Sequence, residues 1–261
     1  MKKITYTMRL LSSLIVSPRA GMALYKGIDE FCAVPDLEIV DPANTKAREV
    51  RVIYPFYQYG EYKGYDPKHA SYYIPGSSIK GALQPKKAAA DYFMVDDVRV
   101  PNDSVSLRNL YKAQYLEDED TAGFANFFDN VGIEMVKGGT DLQGELYLEE
   151  NALFSDVLES ANQDTKEKMN QMITYLQMLL TRNYKNGNLK DILDKVQRGL
   201  TCWLKEDDII LVGGYKGLLH SILLDRHMKE LSGGLFIDYK TMLPHGLVKI
   251  SSVKACNRNI V

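Results

Sequence analysis

The sequence predicts an α+β fold, and three patterns carry that prediction. Near the N-terminus Ile4, Tyr6, Met8 and Leu10 alternate with Lys3, Thr5, Thr7 and Arg9, the period-two mark of a half-buried strand. Residues 72–84 run from a short apolar entry, Tyr72-Tyr73-Ile74, through Pro75-Gly76 into Ser-Ser-Ile-Lys-Gly-Ala-Leu-Gln, a strand-turn-helix junction. Beyond residue 150 the period becomes helical. Met169, Met172, Ile173, Leu176, Leu179 and Leu180 share one helical face, and Leu189, Ile192, Leu193 and Val196 share a second that ends at Gly199. The chain divides accordingly into 1–150, mostly strands, and 151–261, a helical segment followed by a glycine-loop and strand region packed with the first as one body.

Composition sets limits on function. With 45% hydrophobic residues over 261 positions there is ample core material, and the formal net charge of −2 excludes binding of nucleic acid by bulk charge. A subunit that shares one RNA with its neighbours needs only a local basic stripe. Cys32, Cys202 and Cys256 are odd in number and far apart, so they form neither a disulfide framework nor a Cys-x-x-Cys site and suit a reducing, cytoplasmic setting. Met1-Lys2-Lys3 resembles the start of a signal peptide, but a polar residue interrupts the following run at every second position. No stretch is long enough to span a membrane. No metal, cofactor or catalytic residue is expected.

In chain order, the first strand is expected to continue through Leu14-Ile15-Val16 and to end at Ser17-Pro18-Arg19-Ala20-Gly21, with Arg19 and Lys26 as loop cations. Residues 54–73 hold Tyr54, Phe56, Tyr57, Tyr59, Tyr62, Tyr65, Tyr72 and Tyr73 among Lys63, Lys68 and His69. Such rings can stack on unpaired bases or form a core and protein contact surface, and the second reading is preferred here. At 76–81 the first amides of a helix face outward at the positive end of its dipole. Ser77 or Ser78 would cap it, and Gly76, Ser77, Ser78, Lys80 and Gly81 would form an anion cradle; Pro85 must kink or end the helix early, and Lys86 and Lys87 just beyond it add positive charge nearby. An ordinary serine-capped junction would look the same.

Residues 93–100 alternate as one strand, expected to pair with 105–111, and Leu116–Asp120 reads as a solvated acidic loop. Ile133–Val136, the turn 137–141 and Gly144–Leu148 form a hairpin pattern. Asp164 and Glu167 form a capping pair for the helical block. Strand 209–212 leads into Gly213-Gly214-Tyr215-Lys216-Gly217 and a helix over 218–224, a second amide cradle with Lys216 as its cation and His220 as a packed residue. Phe236–Asp238 and Met242–Ile250 close the chain as strands.

Ile74-Pro-Gly-Ser-Ser-Ile-Lys-Gly81 closely resembles the signature of the RAMP proteins of type III CRISPR effector complexes. Further resemblances follow in family order. Gly21 and Gly27 stand where a His-x-Gly-x-Gly loop follows the first strand, without the His; Gly138-Gly-Thr-Asp-Leu-Gln-Gly-Glu-Leu146 is similar to a Pro-Gly-Thr-x-Phe-x-Gly-x-Leu element, with Gly138 for Pro; 213–217 matches a late glycine loop; and Gly246-Leu247-Val248-Lys249 resembles a Gly-Trp-Val-Lys ending, with Leu247 for Trp. The order is most similar to the type III-A (Csm) backbone subunits that cap the guide RNA at its 3′ side. The resemblance implies a ferredoxin-like, RRM-related fold of βαββαβ units with a helical insertion. It also implies crRNA, neighbouring RAMP subunits and target RNA as partners in antiviral defence. Gly76, Ser77, Ser78, Lys80, Gly81, Lys86, Lys87, Arg19, Gly213, Gly214, Lys216 and Gly217 are then the RNA contacts. Two other readings stay open: a metal-independent endoribonuclease of repeat RNA drawing on His69, His220, His227, His245 and the tyrosines, and a structural subunit whose glycine loops touch protein.

Overall fold

The computed structural model describes residues 1–17, 32–33, 50–63, 66–84, 93–127, 131–184, 188–213, 217–222 and 233–253. Along the chain the strands are Lys2–Leu10 (β1), Cys32–Ala33 (β2), Val50–Tyr54 (β3), Tyr73–Ile74 (β4), Phe93–Val95 (β5), Val98–Arg99 (β6), Val105–Arg108 (β7) and Tyr111–Leu116 (β8). They continue as Thr121–Asn126 (β9), Val131–Val136 (β10), Asp141–Leu148 (β11), Asn183–Tyr184 (β12), Ile209–Leu211 (β13), Gly234–Asp238 (β14), Leu243–Pro244 (β15) and Leu247–Val253 (β16). Helices occupy Gly76–Leu83, Phe154–Leu180 and Leu189–Trp203, with a single turn at Leu218–Ser221.

The predicted first strand is the middle of the main sheet, which runs β13-β16-β1-β11-β5 with every neighbouring pair antiparallel. In sequence the Gly76–Leu83 helix falls between β1 and β5, and the Phe154–Leu180 helix between β11 and β16. Setting β13 aside, the spatial order is fourth, first, third, second, the ferredoxin-like βαββαβ circuit that the resemblance implies. Alternation places Tyr6, Met8 and Leu10 in the core with Ile79, Leu83, Phe93, Leu146 and Ile250. The other strands apart from β4 and β6 form a second five-stranded sheet, β12-β9-β8-β14-β15, and a four-stranded one, β2-β3-β10-β7. Most of both predicted helical stripes is buried: Met169, Met172, Leu176 and Leu179 share a core with Leu189, Leu193 and Val196 over Ala113, Leu235 and Ile237, Ile173 and Leu180 are partly buried against it, and Ile192 is only half-buried.

Several local expectations are corrected. β1 stops at Leu10, and Leu14 makes only an isolated bridge to Val136. Its continuation is diverted by Ser12 and Ser13. Ser12 Oγ donates to the Pro244 carbonyl (2.6 Å) and accepts from Leu247 N–H (3.0 Å), Ser13 N–H donates to Asp238 Oδ2 (2.9 Å), and Ser13 Oγ bonds His245 Nδ1 (2.8 Å). The expected hairpin at 133–148 does not form. β10 pairs with β3 and β7 while β11 pairs with β1 and β5, because the end of β1 takes the turn's hydrogen bonds: Leu10 N–H donates to Thr140 O and Gly139 N–H to Leu10 O. Residues 105–108 accordingly pair with β10 rather than with 93–100, which is itself split at Asp96-Asp97. Asp164 is no cap; the helix starts ten residues earlier, and Asp164 is buried inside it against Lys168 (2.8 Å). The Leu189–Trp203 helix also extends past Gly199, whose missing Cβ leaves room for the Leu243 side chain. The described residues contain no helix long and apolar enough to cross a membrane.

Candidate nucleic-acid interface

The Gly76–Leu83 helix buries Gly76, Ile79 and Leu83 and turns its opposite face outward. Ser77 and Gly81 are exposed there, with Lys80 and Ser78 half-buried between them. The expected serine cap is absent: no side chain of the N-cap position bonds the helix, and Ser78 and Ile79 N–H groups both donate to the Pro75 carbonyl. The capping group is a carboxylate brought from a strand end. Gly76 N–H donates to Asp97 Oδ1 at 2.8 Å, so the first amide of the predicted cradle is already occupied by an internal anion. The next amide, that of Ser77, has no protein acceptor among the described residues.

The two glycines of the motif differ in kind. A Cβ on Gly76 would fall 2.0 Å from the Val95 carbonyl oxygen, so glycine is needed there to let the helix meet β5. A Cβ on Gly81 would meet nothing within 4 Å. Lys80 extends its ammonium over the Phe93 ring, 5.4 Å from the centroid, and forms no ion pair among the described residues. The structure therefore brings Ser77, Lys80 and Gly81 onto one exposed face beside a helix N-terminus and assigns Gly76 to packing.

The second expected cradle holds together less well. The helix after it is one turn, Leu218–Ser221, with Ile222 no longer helical; Leu223 and Leu224 of the expected helix lie outside the described residues. Gly213 has φ +58° and its Cβ would lie 2.6 Å from the Ile15 carbonyl; Gly217 packs near the Gly234 carbonyl and Phe236. Both glycines serve close approach within the fold. Gly214 and Lys216 lie outside the described residues, as do Arg19, Lys86 and Lys87.

The tyrosine-rich stretch divides between core and surface. Phe56 and Tyr72 are buried, and Tyr72 donates to the buried Glu134 carboxylate (2.5 Å), which also accepts from Phe56 N–H (2.8 Å). Burial raises the Glu134 pKa, and those two hydrogen bonds only partly offset it. Tyr59 is half exposed and its ring is stacked 4.0 Å from that of Tyr73 at 13°. Its hydroxyl donates to Asp97 Oδ2 (3.1 Å), which links it to the helix cap.

Of the candidate histidines, His69 is exposed and paired with Asp66 (2.7 Å), and His227 lies outside the described residues. His220 and His245 are buried, and burial brings their pKa values down to about 3 and about 4. They belong to a core polar cluster in which Arg108 Nη2 donates to Asp238 Oδ1 (2.9 Å). Among the described residues no three His, Cys, Asp or Glu side chains gather as a metal site. Sequence reasoning missed Asp97, Arg99, Ser12, Ser13 and Asp238; of these only the Asp96-Asp97 break inside an alternating run was visible as a signal.

No family model matches the chain, and no curated protein matches it. Among solved structures its fold is similar to a chain in the cryo-EM structure of a Csm-crRNA-target RNA ternary complex of a type III-A CRISPR-Cas system. That likeness has a TM-score of 0.53 and 10% identity, and it covers 96% of this chain and 100% of the other. A chain of a type IV-B CRISPR complex aligns over 99% of this chain and 93% of its own at 10% identity, with a TM-score of 0.31.

Proposed function

We propose that this protein is a non-catalytic, crRNA-binding subunit of a type III-A CRISPR effector complex in the cytoplasm, holding the 3′ part of the guide alongside neighbouring RAMP subunits. The observation that carries the proposal is the placement of Ser77, Lys80 and Gly81 on one open face of the helix that follows the central strand of a ferredoxin-like circuit. The likeness in fold to a chain from a Csm-crRNA-target RNA complex supports the setting. Phosphates would take the Ser77 amide and hydroxyl and the Lys80 charge, and the missing side chain at Gly81 would let the RNA backbone lie against the helix. Such contacts read no base, which suits a subunit that must accept any guide.

The test is to tag the protein, express it with its neighbouring genes and a CRISPR array, and sequence both ends of the RNA that copurifies. Guides with a common 5′ repeat tag are expected, with 3′ ends that lengthen or become ragged in a Lys80→Ala variant. RNA-free protein, or unchanged guide ends in the variant, would refute the role. Trimming of repeat RNA by the purified chain without divalent ions would replace it with the nuclease reading.

A further inference from the structure

Beside the helix, three short extended segments form a small sheet. Tyr59 N–H donates to Ser71 O and Tyr73 N–H to Tyr57 O, while β4 pairs with β6 in the register Tyr73↔Arg99 and Ile74↔Val98. Directly opposed residues project from the same face of a sheet, and alternate residues from opposite faces. Burial follows that rule: Tyr72, Ile74, Val98 and Val100 enter the core, while Tyr73 is half-buried and Arg99 exposed. Tyr57, Tyr59, Tyr73 and Arg99 thus share the outer face.

We infer that this face is a stacking platform for an unpaired RNA base, with Tyr59 as the plate and Arg99 as the contact to the adjoining phosphate. The inference rests on the RNA-binding reading above and extends it to a site outside the signature helix. Tyr59 is covered on one face by Tyr73 and held at its hydroxyl by Asp97, so the plate is fixed before any ligand arrives. Asp97 spends both oxygens on internal donors, Gly76 N–H and Tyr59 O–H. Arg99 has no ion pair among the described residues. A cleft of ≈ 290 Å³ opens between Tyr59, Ser71, Arg99 and Asn102, and Asn102 Nδ2 pins its far wall through the carbonyls of Pro67, Lys68 and Ala70. Among the described residues, the exposed positions nearby in sequence, Glu61, Lys63, Asp66 and Lys68, are polar, unlike the apolar centre that a protein contact of ordinary size has.

The test measures fluorescence anisotropy of the full chain, alone and coexpressed with its neighbours, on a labelled single-stranded 20-nucleotide RNA and on the same RNA with abasic residues. Stacking predicts that Tyr59→Ala weakens binding on the order of tenfold, that Tyr59→Phe stays near wild type, and that Tyr59→Ala loses nothing further on abasic RNA. Arg99→Gln should lower the slope of log affinity against log salt by about 0.7. Matching melting curves for Tyr59→Phe and wild type serve as the control for folding. If Tyr59→Ala binds both RNAs like wild type while Lys80→Ala is weakened, the platform is wrong and the RNA reading survives. Wild-type protein that binds neither RNA overturns both. Normal RNA affinity with lost association of neighbouring subunits would make this face a protein contact instead.

Discussion

Within a single motif, Gly76 and Gly81 show that identical residues can be required for opposite reasons. At Gly76 an added methyl would press on the Val95 carbonyl at 2.0 Å, and neither backbone can yield without breaking the cap from Asp97. Gly76→Ala should therefore destabilise the protein by about 1–3 kcal/mol, the usual cost of overpacking. Gly81 sits in open space inside a helix, where alanine is the better helix former. Gly81→Ala should stabilise by up to about 1 kcal/mol while weakening RNA retention. Urea unfolding of both variants separates the cases; equal destabilisation would mean that Gly81 packs after all. Replacing Asp97 by Ala tests the cap itself, with an expected loss of about 1 kcal/mol.

At the level of elements, pattern determined what each segment is but not what it touches. The strand at 2–10 and the two helical stripes were legible because alternation and 3.6-residue spacing are local properties. The hairpin at 133–148 was misread for the same reason: two good strands and a glycine turn say nothing about a third strand that takes the turn's bonds. Of the proposed interface, Ser77, Lys80 and Gly81 lie in one continuous motif and could be named from sequence, whereas Asp97 and Arg99 reach that face only through strand pairing and could not. Gly144 illustrates the limit. It reads as part of a turn-strand motif, yet its reason is Tyr6, its partner in the β1–β11 ladder, whose ring would lie 2.3 Å from a Cβ. Gly144→Ala should cost about 1–3 kcal/mol, and a Tyr6→Leu background should remove part of that penalty. Strict additivity in the double-mutant cycle would show that the two do not share the space.

Across the whole molecule, the polar cluster around Ser13, Asp238 and His245 joins the segment after β1 to the C-terminal region, in addition to the β1–β16 ladder, and it shapes how the fold responds to acid. Burial keeps both rings neutral: at His245 it outweighs the pull of Asp238 and is aided by Arg108, and at His220 it is reinforced by His245 and Lys168, which gives pKa values of about 4 and about 3. An unfolded histidine titrates near 6.5, so below that pH the unfolded chain binds protons that the native state refuses. Stability is then full above about pH 6.5 and falls as the pH drops toward the native values, by up to about 1.4 kcal/mol per pH unit for each ring. For Asp238 burial favours the protonated form, but His245, Arg108 and the amides of Ser13 and Lys240 outweigh it and lower the pKa, which adds a loss in the same direction at lower pH. Glu134, with its raised pKa, acts the other way and softens the decline. Urea unfolding between pH 7.5 and 4.5 should show this slope. His220→Leu removes a ring whose nitrogens have no hydrogen-bond partner among the described residues, so it should flatten the acid limb while changing stability at pH 7.5 far less. Parallel pH curves for the variant and the wild type would show that the acid response arises elsewhere.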